Sequence, residues 1–183
     1  MPRPFDLAGA GWRGVRSGAD AARVLGSAGL LRPSRPDRLL GVLLALRRWG
    51  LTIPAGFAAG AARYPDAAAV IDDAGTVSFR DLDRRTTAMA AALAERGITS
   101  KDRVGILCRN HAGCIDALGA LSKLGCDILL LNTGFAAPQL REVLKREKAS
   151  ALVHDSEFGR MLQRVLPADR RVIAWSDPVR PAP

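Results

Sequence analysis

The sequence predicts an α/β protein with a mainly parallel sheet, helices on both faces, an antiparallel hairpin near residues 68–79, and a helical, basic amino-terminal extension. From about residue 51, short apolar runs that suit strands alternate with stretches of helical spacing. Such alternation is typical of βαβ units, whose right-handed crossovers place helices on both faces of the sheet. Of the net charge of +9, residues 1–60 supply +6, from nine arginines against three aspartates.

The basic extension, residues 1–50, contains a predicted helix over Arg38–Trp49, which Asp37 would cap and Gly50 would end. Its leucines cover more than one helical stripe, and arginines lie at both of its ends. We expect residues 38–49 either to dock on the neighbouring domain or to meet an anionic membrane surface. An arginine-rich background composition is the alternative, and no nucleic-acid partner is expected.

The regular pattern that follows begins with a hairpin and a capped helix. Ala68–Ile71 and Thr76–Phe79 suit two short strands joined by a turn over residues 72–75. Ser78 and Asp81 have the spacing of a capping box, so a helix is expected to begin there.

The segment Arg103–Phe135 predicts a strand, a helix and a second strand. Val104–Cys108 and Asp127–Leu131 are the two apolar runs, and apolar residues at helical spacing lie between them. Because ligands of open α/β sheets bind at the carboxyl ends of parallel strands, the polar residues that follow each run are candidates for a site.

Four of these polar residues are the candidate cofactor-binding positions: Arg109, Asn110, Asn132 and Thr133. The structural alternatives are that Asn110 caps the helix and that Asn132-Thr133-Gly134 is a turn. His111 is not assigned as a general base, because no serine or cysteine forms a triad with it. We assign no catalytic residue and no metal ligand.

The remaining elements continue the alternation. A helix is expected to start at Pro138, a strand to cover Ala151–His154, and a final strand to cover Val172–Trp175. Ser156 would cap a helix that carries apolar residues from Phe158 to Leu166.

Two further motifs do not support a site. Residues 9–14 match G-x-G-x-x-G, but the two prolines before them exclude the interior strand that a dinucleotide site needs. Cys108, His111, Cys114 and Cys126 do not have zinc-finger spacing, and Cys126 falls at the far end of the intervening helix. Buried thiols in a reducing compartment explain these cysteines better.

Three segments resemble the amino-terminal portion of AMP-forming acyl-CoA synthetases, in the adenylate-forming superfamily. Residues 62–82 resemble the opening hairpin and first core motif of that family, residues 101–106 resemble its "gDrVai" strand, and residues 121–135 resemble its second core motif. The motifs LCRNH, LSKLG and LLLNT resemble most those of fatty-acid–CoA ligases of actinobacterial type.

The resemblance implies that full-length relatives convert a fatty acid, ATP and CoA to acyl-CoA, AMP and pyrophosphate, with Mg²⁺. It also implies a Ser/Thr/Gly-rich phosphate loop and a carboxyl-terminal lysine domain, and the 183 residues contain neither. We therefore expect a truncated, incomplete AMP-binding domain over residues 51–183, inactive alone and with no cofactor of its own. The alternative is a noncatalytic membrane- or partner-binding module on the same scaffold.

Two expectations concern the surroundings of the chain. The first residues lack a secretory signal, so a cytoplasmic location is expected, with peripheral contact at the inner membrane face as an open alternative. An incomplete sheet would expose apolar surface, so we also expect self-association.

Overall fold

The computed structural model describes residues 35–175. Its helices are α1 (Pro36–Trp49), α2 (Ile53–Arg63), α3 (Phe79–Glu95), α4 (Ala112–Leu124), α5 (Ala137–Arg146) and the short α6 (Gly159–Leu162). Its strands are β1 (Ala68–Asp72), β2 (Gly75–Ser78), β3 (Arg103–Leu107), β4 (Asp127–Leu130), β5 (Ala151–Asp155) and β6 (Arg171–Trp175). Short 3₁₀ turns cover Ser156–Phe158 and Ala168–Arg170.

Four strands form a parallel sheet in the order β4-β3-β5-β6. Val104 of β3 aligns with Ile128 of β4 on one side and with Ala151 of β5 on the other. All five residues of β5 are buried, as expected for a central strand of a parallel sheet covered on both faces. The predicted fold class is confirmed.

Helices cover both faces of this sheet. On one face, α3 and α4 pack against Val104, Ile106 and Val153. On the other face, α5 and α6 pack against Leu107 and Leu152. Side chains of a strand point alternately to its two faces, so the apolar runs of β3 and β5 supply both cores.

The predicted hairpin is β1 and β2, which pair antiparallel, with Ile71 opposite Thr76. Ser78 then caps α3, because its Oγ accepts the backbone N–H of Asp81 at 3.1 Å. Both features agree with the sequence prediction. The start of α3 packs closely against α2 at Gly60, where a Cβ atom would lie 2.3 Å from the ring of Phe79.

Helix α1 docks on α2 through a narrow face. A Cβ atom on Gly41 would lie 2.7 Å from Cβ of Ala62, and Ala45 is buried. Arg38 donates a hydrogen bond from Nη1 to the carbonyl of Arg63 at 3.1 Å. The boundary proposed at residue 50 stays a prediction, and residues 1–34 of the extension, with the G-x-G-x-x-G match at 9–14, lie outside the described residues.

Two local predictions differ from the structure, and one helix was not predicted. The cap of α4 is His111 rather than Asn110, since the His111 ring accepts the N–H of Cys114. The helix expected from Ser156 to Leu166 is only a 3₁₀ turn followed by α6, and Val165 donates its N–H to Leu162, three residues back. Helix α2 was not predicted, because its small Ala and Gly residues give a weak apolar pattern.

Candidate functional site

A cleft of about 230 Å³ lies where β3, β5 and β6 end, beside the turn of the hairpin. Its lining includes Asp72, Asp73, Arg109, Asn110, His111, Asp155, Glu157 and Trp175. The carboxyl ends of these parallel strands therefore converge on one polar cleft, as the fold class leads one to expect.

The half-buried His111 and the buried Asp155 form the centre of the cleft. Nε2 of His111 lies 3.0 Å from Oδ1 of Asp155, and its Nδ1 accepts the backbone N–H of Cys114 at 3.3 Å. Since Nδ1 accepts, Nε2 is the nitrogen that donates to the carboxylate. Both ring nitrogens are occupied, so His111 has no free lone pair with which to act as a general base.

The ring of His111 is also held by an aromatic neighbour. Its centroid lies 5.1 Å from that of Trp175, with the two planes tilted by 33°. The contact joins the start of α4 to the end of β6. The orientation of His111 is thus fixed by a cap, a carboxylate and a stacked ring.

Arg109 is neutralised by Glu157 across the mouth of the cleft. Its Nε and Nη2 atoms donate to the two carboxylate oxygens of Glu157 at 2.8 and 3.0 Å. The hydrogen bond from Arg109 holds the pKa of Glu157 below its usual value. The backbone N–H of Arg109 donates to Oδ2 of Asp155 at 2.7 Å. This side chain therefore ties the loop after β3 to the loop after β5.

Asp72 connects the hairpin to the helix that carries the site. Its Oδ2 accepts the N–H of Ala112, the first residue of α4, at 2.7 Å, and its Oδ1 accepts the N–H of Ala74 at 2.9 Å. The hydrogen bond from Ala112 is the main reason that the pKa of Asp72 lies below its usual value. A carboxylate at a helix start also interacts favourably with the helix dipole.

Two half-buried thiols lie beneath the cleft. A hydrogen bond from Cys108 lowers the pKa of the Cys114 thiol to about 7, and the same bond raises the pKa of Cys108. Cys126 lies beyond the other end of α4, where burial raises its pKa. In residues 35–175 no three His, Cys, Asp or Glu side chains are grouped as a metal site requires.

The charge of the cleft does not suit the phosphates of ATP or CoA. Four carboxylates line it, those of Asp72, Asp73, Asp155 and Glu157, and its one guanidinium is already paired. A triphosphate would meet net negative charge, and the helix start that would bind an anion is occupied by Asp72. The strand-end cleft by itself thus offers no cradle for these phosphates.

The four predicted site residues do not converge. Arg109 and Asn110 line the cleft, whereas Asn132 and Thr133 follow β4, which borders β3 on the side away from β5. Asn132 accepts the N–H of Gly134 at 2.8 Å, which is a local turn. Arg109 and Asn132 make these structural contacts, and the assignment of all four residues to a cofactor stays a prediction.

Sequence reasoning missed the cleft residues that come from other elements. Asp155 ends β5, Glu157 lies two residues beyond it, and Trp175 ends β6, so the same rule of strand ends could have found all three. Asp72 had no such signal, because the turn of an antiparallel hairpin reaches the cleft only through the tertiary fold.

The parallel sheet, the hairpin and the polar strand ends define a class of α/β proteins to which the adenylate-forming enzymes belong. A family model described as AMP-binding enzyme matches residues 57–180. The chain therefore belongs to the AMP-binding enzyme family, in agreement with its resemblance to acyl-CoA synthetases.

Individual relatives are also acyl-CoA ligases. A medium/long-chain-fatty-acid–CoA/3-oxocholest-4-en-26-oate–CoA ligase of Mycolicibacterium smegmatis is 25% identical over 103 residues, which is 56% of this chain and 19% of that protein. A feruloyl-CoA synthase of an Amycolatopsis species is 31% identical over 95 residues, which is 52% of this chain and 19% of that protein. The matched part of the chain thus spans about a fifth of the length of these relatives.

Solved structures show the same fold. A chain described as a long-chain-fatty-acid CoA ligase of Rhodopseudomonas palustris aligns with a TM-score of 0.60 and 26% identity, over 69% of this chain and 32% of that chain. The N-terminal subdomain of NpsA from Klebsiella oxytoca, in complex with 3-hydroxybenzoyl-AMSN, aligns with a TM-score of 0.59 and 24% identity, over 67% of this chain and 30% of that one. At that identity the second likeness shows the fold alone.

Proposed function

We propose that this chain supplies the amino-terminal scaffold of an acyl-CoA ligase that activates a fatty acid or a related carboxylic acid with ATP. The observation that carries the proposal is the family match over residues 57–180, which coincides with the hairpin and the four-stranded sheet. The names of the relatives favour a fatty-acid, steroid-acid or aromatic-acid substrate.

In the proposed role, the 183 residues do not catalyse adenylation when tested alone. Adenylation requires preorganised donors for the transferring phosphoryl group and its metal ion. The sequence contains no Ser/Thr/Gly-rich phosphate loop, and the one cationic side chain of the cleft, Arg109, is neutralised by Glu157. The cleft therefore stabilises the sheet edge and leaves the chemistry to other parts of a ligase.

The first experiment measures ATP–pyrophosphate exchange by the isolated chain with palmitate and Mg²⁺. The Mycolicibacterium smegmatis relative serves as the positive control. We expect no exchange above background from the isolated chain, and robust turnover would overturn the proposed inactivity.

The second experiment tests the scaffold role with a chimera. Residues 57–180 replace the corresponding segment of the smegmatis ligase, and folding is checked by thermal unfolding before activity is measured. A folded chimera that retains exchange supports the proposal. A folded but inactive chimera would contradict it. The same chimera with Asp155→Asn tests whether the cleft stabilises the fold, and its thermal unfolding is compared with that of the parent chimera.

A further inference from the structure

The solvent-facing side of α1 is apolar, which is the reverse of an ordinary surface helix. While Gly41 and Ala45 face α2, four leucines on the other side are between 41% and 63% exposed: Leu39, Leu40, Leu43 and Leu44. We call these four residues the leucine face. A contiguous exposed apolar patch of this kind usually marks an interaction surface.

Two cations lie at the carboxyl-terminal end of the leucine face. Arg47 and Arg48 are exposed in the last turn of α1, and Arg48 lies over the Trp49 ring with its guanidinium carbon 5.0 Å from the ring centroid. Asp37, in the first turn, is the single acidic residue of the helix. The face therefore combines apolar surface with positive charge at its edge.

We propose that α1 binds the surface of an anionic lipid bilayer, with the leucine face in the acyl boundary and Arg47 and Arg48 at the headgroups. This combination of leucines, a tryptophan and arginines is what interfacial helices use. With 14 residues, α1 is about 21 Å long, shorter than the hydrocarbon core of about 30 Å. The leucines run along one side of the helix, so the proposed position of α1 is parallel to the membrane surface. Among the described residues no helix is long and apolar enough to cross a bilayer.

Charge decides against two other occupants of the leucine face. A second copy of the chain would bring one basic α1 against another, and like charges repel. Residues 1–34 are also net positive, with five arginines against two aspartates. An anionic bilayer matches both the charge and the apolar surface.

The surface is separate from the strand-end cleft, since none of its residues lines that cleft. Binding through the leucine face would hold the chain at the lipid bilayer, in which fatty acids dissolve. Loss of membrane binding would leave the scaffold role intact, and a failed chimera would leave membrane binding intact.

The test is co-sedimentation of the full chain with vesicles of phosphatidylcholine alone or mixed with phosphatidylglycerol. We expect binding to the mixed vesicles, weak binding to the neutral ones, and a loss of binding as NaCl concentration rises, because salt screens surface charge. Equal binding to both vesicle types, or none, would overturn the proposal.

Matched variants locate the binding surface. The double variant Leu40→Ser, Leu43→Ser is expected to lower the partition coefficient at least about tenfold, from the loss of buried apolar area. Arg47→Ala is expected to lower it about fivefold. Ile71→Ser, at a position 75% exposed on β1, and Arg160→Ala, on α6, are the controls and should bind as the native chain does.

The same variants distinguish the other occupants. If the leucine variants leave vesicle binding unchanged, the proposal is wrong. Two further measurements then identify the occupant. If it is a second copy of the chain, sedimentation velocity would show a dimer that these variants dissociate. If it is residues 1–34, limited trypsin digestion would show that the variants release this segment. Because the substituted side chains are exposed, their melting temperatures should equal that of the native chain, and this control separates lost binding from lost folding.

Discussion

Nε2 of His111 donates to Oδ1 of Asp155 across 3.0 Å, between the start of α4 and the end of β5. Asp155 is 4% exposed, and its other oxygen accepts the backbone N–H of Arg109. One buried carboxylate thus holds the two polypeptide segments that leave the central strands of the sheet.

This relationship predicts the effect of Asp155→Asn. An amide has a single acceptor oxygen, so one of the two donors loses its partner, and leaving a buried donor unsatisfied costs about 1–3 kcal/mol. Urea unfolding of the variant should show a free energy of unfolding lowered by about that amount. Asp73→Asn, an exposed position in the same cleft, is the control, and equal stability of the two variants would contradict the role of Asp155.

The thiol pair predicts a difference in cysteine reactivity. Only the thiolate reacts with iodoacetamide, and the pKa of Cys114 is lowered to about 7 by the hydrogen bond from Cys108. Mass spectrometry should therefore find half-maximal alkylation of Cys114 near neutral pH, whereas Cys126, whose pKa is raised by burial, reacts at higher pH. Cys108→Ala should move the Cys114 profile to higher pH, and an unchanged profile would refute the assignment.

Asp72 predicts an acid-dependent contribution to stability. Because the pKa of Asp72 is lower in the folded state than its usual value, its contribution is present at neutral pH and is lost as the pH falls through the folded pKa. Asp72→Asn should be less stable than the native chain at neutral pH, and the gap should close in acid. Asp73→Asn should show no such gap, and a gap for Asp72→Asn that persists in acid would count against the mechanism.

A pair of glycine substitutions tests the packing of the sheet. A Cβ atom on Gly105 of β3 would lie 2.6 Å from a methyl group of Leu152 and 2.8 Å from one of Leu131. Gly105→Ala should lower the free energy of unfolding by about 1–3 kcal/mol, the usual cost of overpacking. On Gly56 of α2 a Cβ atom meets nothing within 4 Å, so Gly56→Ala should raise stability by about 0.5 kcal/mol. A stability order opposite to this one would show that β3 can shift to make room.

Exposed apolar side chains on the edge strands predict self-association. Leu130 of β4 is 70% exposed and Ile173 of β6 is 59% exposed, and neither strand has a second neighbour among the described residues. Sedimentation velocity should show a larger average mass as concentration rises. The double variant Leu130→Lys, Ile173→Lys should remain monomeric, since lysines on edge strands prevent pairing. Leu43→Ser on α1 is the control that keeps the association.

The amino-acid sequence by itself determined the sheet, the hairpin and the helices on both faces. Apolar periodicity and local caps decide these features, as the burial of Val104, Ile106 and Leu107 on alternate faces of β3 shows. The Ser78 cap was predictable because both its partners lie within one turn of the chain. The sequence does not predict helix α2, because its alanines and glycines give no apolar periodicity.

The tertiary structure alone decided which polar groups meet and in what state. His111 and Asp155 are 44 residues apart in the sequence, and Asp72 and Ala112 are 40 apart, so no local pattern pairs them. The sequence makes Arg109 a candidate cofactor-binding residue, and only the fold shows that Glu157 neutralises its charge. The sequence places leucines and arginines together in α1. Only the packing of Gly41 and Ala45 against α2 shows that the leucine face is exposed to solvent. Periodicity fixes local structure, whereas charge pairing and exposure depend on which distant segments the fold brings together.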